Sequence, residues 1–285
     1  MKDLLMWFKA KSSGLVKLSK DVRDLSFSDL LGQEKDFTPT WTKKTLAPIS
    51  EKDQFGRKNC SFQMASKIYG IYFGENISAR YLTAKAWQLG LCTKGGEADM
   101  RAWCKIGYNH GVVPEADCPS DERLAWEDYV NVDFAKLDVL ASQYKIGSYY
   151  RVMTVNDLLR AIDKGYAVGI GRDWLVSMNQ SGGFKVPWVI RRLGSYVGGH
   201  ATTCVGIDLA YNGERVTIES NSYSNLWGDK GQFYCPLRDL QKDLDLYGAY
   251  AITPIPYSPK EIKISLIKKA IEIINKIIDF ELKNT

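Results

Sequence analysis

Residues 53–62, DQFGRKNCSF, take the chain from a polar loop into a helix, with a cysteine at the junction. Apolar residues recur at helical spacing beyond it, and Asn59 is a residue type favoured at helix N-caps. The sequence therefore predicts a helix that begins at Cys60. The partial positive charge of a helix N-terminus favours the thiolate of such a cysteine, so Cys60 is a candidate nucleophile. The plainer alternative is a small buried apolar residue, which is what most lone cysteines are.

The composition of the chain narrows the classes of function. Of its 285 residues, 45% are hydrophobic and 25% charged, and the formal net charge is +5. No Lys/Arg block with interleaved aromatic residues indicates a nucleic-acid partner. No apolar run is long enough for a transmembrane segment, and the start of the chain lacks a secretory signal pattern. We therefore expect an intracellular (cytoplasmic) protein or a component of an assembly.

The six cysteines give no sign of a metal site. None of them forms a CxxC pair, which argues against structural zinc, and no metal or cofactor is expected. Without a secretory signal, free thiols are the expected state, although an even number also allows disulfides. The cysteines are Cys60, Cys92, Cys104, Cys118, Cys204 and Cys235.

The chain divides into regions of different character. Residues 1–35 are polar and lysine-rich, and we interpret them as an extension that lies on the main body. Residues 36–257 form that body, with a helical half over 36–143 and a β-rich half over 144–257. Because βαβ alternation is missing, the pattern predicts an α+β protein with two subdomains. Helices are predicted over 60–73, 78–90, 97–110, 133–143 and 155–164, and strands over 145–152, 166–171, 200–208, 214–220, 231–235 and 248–253.

Residues 258–285 are predicted to form an amphipathic C-terminal helix. Charged residues cover its polar side, so it is not a transmembrane segment. It could dock on its own domain, contact an oligomer or assembly partner, or lie on a membrane surface. Its isoleucines recur at spacings of three and four residues: Ile264, Ile267, Ile271, Ile274 and Ile278.

The chain has only two histidines as candidate bases. His110 ends a predicted helix, where a polar ring has an ordinary structural role. His200 follows two glycines at the mouth of an apolar strand, which would hold it rigid and partly desolvated. Asn221 opens a polar turn after another predicted strand. It is either part of an Asx turn or an acceptor that fixes the orientation of a histidine ring.

Several motifs together resemble those of the papain-like cysteine peptidases, the cathepsins included. They are Gln54-x5-Cys60, Gly199-His200-Ala201, and Asn221-Ser-Tyr-x3-Trp227-Gly-x2-Gly231, with weaker likeness at residues 91–96 and 111–115. The resemblance spans about residues 36–254. It implies a papain-like two-subdomain fold, in which a helical half and a β-barrel-like half face each other across a cleft.

The resemblance also implies a role for each matching residue. Cys60 corresponds to the nucleophile, His200 to the general base and then acid, and Asn221 to the residue that orients the histidine. Gln54, together with the backbone N–H of Cys60, corresponds to the donors of the oxyanion hole. Tyr223 would cover the His–Asn hydrogen bond. The expected partner is a polypeptide substrate in extended conformation, bound by Gly95, Gly96, Ala201 and Trp227.

The sequence departs from the family pattern around the cysteine. Ser61 stands where the family usually has an aromatic residue, and Lys58-Asn59 replaces a pair of small residues. Arg57 stands where the family has a cysteine, so a disulfide with Cys92 cannot form. Residues 1–35 are also too few for the usual inhibitory prodomain.

The favoured function is peptide-bond cleavage through a Cys60 thioester. The alternative is a structural or interaction component of a larger assembly, for example a virion, with or without residual thiol hydrolase activity. A thiol acyltransferase or amidase is a third possibility, and the fold alone does not separate the three.

Overall fold

The structure is a computed structural model of the chain. It describes residues 14–17, 24–32, 37–46, 51–178, 188–190, 192, 194–254, 267, 270, 271 and 274–278.

The first half is built on the long helix that starts at the cysteine, and α3 (Ala79–Gln88) and α4 (Ala102–Asn109) pack against it. This helix, α2, is buried along ten of its fourteen residues and ends at Gly74, whose left-handed backbone (φ 70°) stops the helix. Ser78 and Asp133 begin their helices by accepting hydrogen bonds from the backbone N–H three residues further on. The helices are α1 (Phe27–Leu31), α2 (Cys60–Phe73), α3 (Ala79–Gln88), α4 (Ala102–Asn109), α5 (Trp126–Val130) and α6 (Phe134–Ala141).

The second half is built on an antiparallel sheet of seven strands. The strand order is β2-β7-β3-β4-β5-β6, and β1 pairs with β4 from the side. A tight turn at Asn212-Gly213, both with positive φ, joins β4 to β5 as the sequence predicts. The strands are β1 (Lys43–Thr45), β2 (Ser148–Val152), β3 (Val168–Leu175), β4 (Tyr196–Tyr211), β5 (Glu214–Ser220), β6 (Gln232–Pro236) and β7 (Ala249–Thr253).

Two apolar layers pack on the sheet, and the first of them joins the two halves. One lies between α2 and the sheet, and includes Met64, Ile68 and Ala201. The other lies under α7 (Val155–Asp163) and α8 (Leu237–Leu246) on the opposite face of the sheet. The sheet therefore has apolar layers on both faces, and its strands β3 and β4 are buried along most of their length.

Some elements differ from the sequence-based expectation. The helix over 60–73 has the predicted ends, whereas the helix predicted over 97–110 begins only at Ala102. Four elements were missed: α1, β1, α5 and α8. In α8 the leucines do recur at helical spacing, but the helix follows Pro236, the last residue of β6, without a loop that would mark its start.

The described parts of the N-terminal region contact the body. Asp24 accepts hydrogen bonds from Arg101 and Tyr250, and Phe27 packs edge-on against Tyr150 and Tyr166.

The predicted C-terminal helix lies largely outside the described residues. Residues 274–278 are helical, as are positions 267, 270 and 271. The isoleucines at 267, 271, 274, 277 and 278 are 49–57% exposed, so they are not packed into the body. No helix among the described residues is both long and apolar enough to cross a membrane.

Candidate active site

Cys60 is the first residue of α2 and its side chain is fully buried. Asn59 occupies the N-cap position, but its side chain makes no capping hydrogen bond. It is turned away from the helix and donates instead to Glu122, Thr83 and Tyr129. The predicted start of the helix is therefore right, whereas the predicted reason for it is wrong. The Asn59 side chain is drawn away by a buried carboxylate, a contact across 63 residues that local sequence does not reveal.

His200 and Asn221 lie side by side in the β-rich half. His200 is on β4, Asn221 follows the last residue of β5, and both are fully buried. His200 Nε2 is 2.7 Å from Asn221 Oδ1, which also accepts the backbone N–H of Ser222 at 2.8 Å. Since Oδ1 can only accept, the ring carries its proton on Nε2 in this contact. Nδ1 is therefore the ring nitrogen that can accept a proton.

The histidine ring is enclosed by aromatic side chains. The ring centroids of Trp174 and Tyr223 lie 4.6 and 5.0 Å from that of His200. Both aromatic residues are buried and shield the contact between His200 and Asn221 from water. The sequence analysis named Tyr223 but missed Trp174. Arg172 on β3 pairs with His200 on β4, and Trp174 lies two residues further along β3. Aligning these two strands could therefore have indicated that Trp174 lies near His200.

A buried lysine holds Asn221 from the other half of the molecule. Lys67 of α2 donates from Nζ to the Asn221 carbonyl oxygen and to Ser220 Oγ, both at 2.6 Å. Burial lowers the pKa of Lys67 to about 8, although Glu51 at 3.7 Å favours its charged form. The sequence analysis missed this residue. Its only signal is a lysine on the apolar side of a predicted helix.

Gln54 connects the cysteine loop to the turn that begins at Asn221. Its Nε2 donates to the carbonyl oxygen of Arg57 at 2.7 Å, and its Oε1 accepts from Ser222 Oγ at 2.6 Å. The backbone N–H of Gln54 also donates to the Ser222 carbonyl. Residues from both halves, Gln54 and Cys60 on one side and His200 and Asn221 on the other, are thus brought to one place. The backbone of Ala201, next to His200, faces the Cys60 sulfur.

A segment of the N-terminal region, Gly14–Val16, crosses this place in an extended conformation. Its backbone pairs in parallel with Ala98, through Ala98 N–H to the Gly14 carbonyl (3.1 Å) and Val16 N–H to the Ala98 carbonyl (3.0 Å). On the other side, the Leu15 N–H donates to the Gly199 carbonyl. We call Gly14–Val16 the covering segment. It spans the gap between the two halves directly over Cys60, whose sulfur faces the Gly14 backbone.

The Leu15 side chain fills an apolar pocket beside the cysteine. A Cβ added to Gly171 would lie 2.6 Å from Leu15 Cδ2, and one added to Gly199 would lie 2.3 Å from the Leu15 carbonyl oxygen. Both glycines are therefore required for the close approach. Met100 and Tyr247 complete the pocket, and Leu15 is 6% exposed.

Burial opposes the expected ionisation of the thiol. Burial raises the pKa of Cys60 to about 11, and nearby backbone groups of Gly14, Ala201 and Ser61 offset this only in part. The expectation that the helix N-terminus would favour the thiolate is therefore wrong for this closed arrangement. Desolvation by the surrounding protein outweighs the helix dipole, a contribution of about 0.3–1 kcal/mol at an exposed site.

The residues expected to bind substrate are placed as follows. Gly95 and Gly96 have positive φ and pack against the cysteine loop, where the Gly95 carbonyl accepts the Lys58 N–H. The pairing with extended backbone is made by Ala98 instead. Ala201 is buried next to the Leu15 pocket, and Trp227 is fully buried among Trp174, Tyr223 and Phe233. Hence Ala98 is a cleft residue that the sequence analysis missed.

The remaining cysteines and the other histidine lie apart from this site. All six cysteines are free thiols, and His110 is the C-cap residue of α4. Among the described residues, no group of three or more His, Cys, Asp or Glu side chains could hold a metal ion.

Comparison with known proteins identifies the fold. No family model matches the chain, and no curated protein matches it in sequence. Xylellain, a cysteine protease from Xylella fastidiosa, matches with a TM-score of 0.71 and 20% identity, over 86% of this chain and 97% of that one. Procathepsin L 3 of Tenebrio molitor matches with a TM-score of 0.61 and 15% identity, over 88% of this chain and 78% of that one. Bromelain of Ananas comosus matches with a TM-score of 0.55 and 18% identity, over 75% of this chain and 99% of that one.

These structures are papain-like cysteine proteases, which confirms the resemblance predicted from the motifs. The chain has the papain-like fold, and the predicted α+β class is confirmed. Within the described residues the sheet stays open rather than closing into a barrel, since β2 and β6 are its two ends.

Proposed function

We propose that the chain is a cysteine peptidase in which Cys60, His200, Asn221 and Gln54 carry out the reaction. The observation that supports this most directly is the 2.7 Å contact between His200 Nε2 and Asn221 Oδ1 beside a cysteine at a helix N-terminus. A purely structural role needs neither the buried polar pair nor its aromatic cover.

The reaction begins with transfer of the Cys60 proton to Nδ1 of His200. The thiolate sulfur attacks the carbonyl carbon of the scissile peptide bond, and the carbonyl oxygen becomes an oxyanion. When the C–N bond breaks, the imidazolium gives its proton to the leaving amine, and a thioester remains on Cys60. Water then attacks the thioester with His200 as base, which releases the acid and restores the thiol.

The oxyanion requires donors that are already in place. An amide nitrogen has two hydrogens, and we assign one on Gln54 Nε2 to the Arg57 carbonyl and the other to the oxyanion. The backbone N–H of Cys60 is the second proposed donor. Removing one such donor from a peptidase costs about 10²–10³ in kcat.

The substrate is proposed to be a polypeptide in extended conformation. The covering segment supports this, because it is itself an extended backbone that pairs with Ala98 and Gly199. Gly95, Gly96, Ala201 and Trp227 remain proposed substrate-binding residues. For the segment's own role, we propose that it keeps the enzyme latent, since substrate and segment need the same pairing groups.

The test is covalent labelling of Cys60 in a full-length chain whose cleft is opened by Leu15→Glu. An epoxysuccinyl thiol-protease inhibitor should label Cys60 in this protein and fail to label it after the further change His200→Ala, as read by mass spectrometry of the peptides. Cys92→Ala is the matched control, because Cys92 is another partly accessible thiol, and labelling should persist. Absence of label on the folded Leu15→Glu protein contradicts the proposal.

An interaction function is the second candidate. It is favoured by the half-exposed isoleucines of the C-terminal helix, whose spacing of three and four residues suits a helical contact with a second copy of the chain. In full-length protein, Ile271→Lys with Ile274→Lys should reduce the solution mass to that of a monomer. A monomeric unmodified chain contradicts this candidate.

A further inference from the structure

A buried carboxylate beside the active site gathers the residues that flank Cys60. The Glu122 side chain is 6% exposed and lies in the segment before α5. It accepts hydrogen bonds from four side chains: Arg57 Nε (3.0 Å), Asn59 Nδ2 (3.2 Å), Gln63 Nε2 and the Tyr129 hydroxyl. Three of these four donors stand three residues before, one before and three after the cysteine. One carboxylate therefore ties down both the loop that leads to Cys60 and the first turn of α2.

Arg57 is held in a single orientation by this segment. Besides the bond to Glu122 Oε2, its Nη2 donates to the carbonyl oxygens of Glu122 (3.1 Å) and Leu124 (2.7 Å). Its guanidinium lies 3.9 Å from the centre of the Tyr129 ring, in position for a cation–π contact. A planar guanidinium bound on several sides has little freedom to move.

The backbone of Arg57 is hydrogen-bonded to Gln54, so the position of Arg57 affects that of Gln54. The Arg57 carbonyl accepts Gln54 Nε2 at 2.7 Å, and the Arg57 N–H donates to the Gln54 carbonyl at 2.7 Å. Gln54 Oε1 is fixed in turn by Ser222 Oγ. The orientation of the Gln54 amide is thus set by two partners, and one of them is placed by the cluster around Glu122.

We propose that Glu122 is a positioning residue for the oxyanion site, acting through Arg57 on the side-chain amide of Gln54. This inference rests on the proposed function. In the papain-like motif a cysteine stands at position 57, and here Arg57 and the free thiol of Cys92 stand in place of that covalent tie. The hydrogen bonds and the ion pair of Glu122 fix the loop before Cys60 in place of that disulfide.

Two reactions of the same thiol separate this role from a general effect on folding. Alkylation of Cys60 by iodoacetamide occurs at a saturated carbon and forms no oxyanion. Turnover of a leucyl peptide p-nitrophenyl ester passes through an oxyanion and needs Gln54. Both are measured in the full-length Leu15→Glu protein, and Glu122→Gln is then added. Asp157→Asn is the matched control, because Asp157 is another buried carboxylate with several donors, on α7 away from the site.

With Glu122→Gln we expect kcat for the ester to fall about 10- to 100-fold, as for displaced catalytic groups, while KM and the alkylation rate change less than about twofold. Asp157→Asn should leave both rates unchanged. If Glu122→Gln fails to fold, Tyr129→Phe removes one donor of the same cluster and should lower kcat in the same selective way.

Equal losses of esterase and alkylation rates, or no loss of either, overturn the positioning role. A Leu15→Glu parent that is alkylated at Cys60 but never turns over the ester overturns the proposed function instead. The two failures are therefore distinguishable.

Discussion

The backbone N–H of Leu15 donates to the carbonyl oxygen of Gly199 at 3.0 Å, which ties the covering segment to the residue that precedes His200. The same segment pairs with Ala98 on the opposite wall. An extended substrate that reaches Cys60 must displace both sets of bonds. Displacement also exposes the Leu15 side chain, at a cost of about 1.5–3 kcal/mol for a buried leucine. Under the proposed function, the chain in its closed arrangement should therefore turn over substrate slowly.

Gly14→Ala should open the cleft by a steric effect alone. A Cβ at Gly14 would lie 1.6 Å from the Lys58 carbonyl oxygen, and backbone on both sides leaves no room to adjust. We expect the rate of Cys60 labelling to rise about 10- to 100-fold. This is the factor that corresponds to about 1.5–3 kcal/mol, the cost of exposing the Leu15 side chain in the unmodified chain. Peptide mass spectrometry after timed labelling measures it.

Gly32→Ala is the control for this change. Gly32 belongs to the same N-terminal region, and a Cβ there meets nothing within 4 Å. Its positive φ of 76° makes alanine a strained residue, but this strain lies at the end of α1 rather than in the covering segment. It should leave labelling at the rate of the unmodified chain. Equal rates for Gly14→Ala and the unmodified chain mean that the segment does not limit access to the thiol.

The pH dependence of thiol reactivity should report the same segment. Burial holds the pKa of Cys60 at about 11, so the thiol stays protonated at neutral pH. Alkylation of the unmodified chain by iodoacetamide should keep rising with pH beyond 9, the ordinary pKa of a cysteine. In Leu15→Glu the desolvation is relieved, so the rise should occur at lower pH. Coincident pH profiles for the two proteins contradict this explanation of the raised pKa.

The sequence predicted those features that local pattern determines. Helix α2 is found at residues 60–73 because a long run of apolar residues and Gly74 define it. His200 and Asn221 were found as candidates because each follows from a short motif with fixed spacing. Their hydrogen bond joins residues that the β4–β5 hairpin brings together.

Contacts between distant segments could not be predicted. Residues 14–16 contain a glycine and two apolar residues, a composition that does not indicate Ala98 and Gly199 as their partners. Glu122 looks like any surface glutamate in sequence, since its burial depends on Arg57, Gln63 and Tyr129 meeting in three dimensions. Both features depend on the packing of segments that are far apart in the chain.

Glu122 should make stability depend on pH in a particular window. Burial raises its pKa from the ordinary 4.5 to about 7, although Tyr129 and Arg57 lower it in part. Between pH 4.5 and 7 the folded state holds a proton that the unfolded state has released. The contribution of Glu122 to the free energy of unfolding therefore falls as pH rises through this window, by at most about 1.4 kcal/mol per pH unit.

Urea unfolding at pH 5, 6, 7 and 8 measures this effect. The free energy of unfolding of the unmodified chain minus that of Glu122→Gln should decrease from pH 5 to 7 and level off by pH 8. Tyr129→Phe keeps the carboxylate but removes a hydrogen bond that lowers its pKa, so in this variant the decrease should persist and extend to higher pH. A difference that does not vary with pH contradicts the raised pKa.

The buried ion pair next to His200 should be the costliest one to break. Arg172, the register partner of His200, donates from Nη2 to Glu219 at 2.7 Å, and both side chains are fully buried. Glu219→Ala leaves the arginine charge without this partner, which typically costs about 3–5 kcal/mol. Glu214→Ala is the control on the same strand. Its partner Arg238 is 63% exposed, and pairs open to water contribute about 0–1 kcal/mol.

Urea unfolding of the two variants gives the comparison. In Glu219→Ala the buried arginine keeps, among the described residues, only Asp243 as an ionic partner, 3.8 Å from its Nε. Because the cost comes from a buried charge that has lost its main partner, Arg172→Met combined with Glu219→Leu should recover most of the stability lost in Glu219→Ala. If the double variant is as unstable as Glu219→Ala, the stability comes from the ion pair itself, which joins β3 and β5 beside His200, and not from avoiding an unpaired buried arginine. Similar losses for Glu219→Ala and Glu214→Ala contradict the assignment of a buried pair.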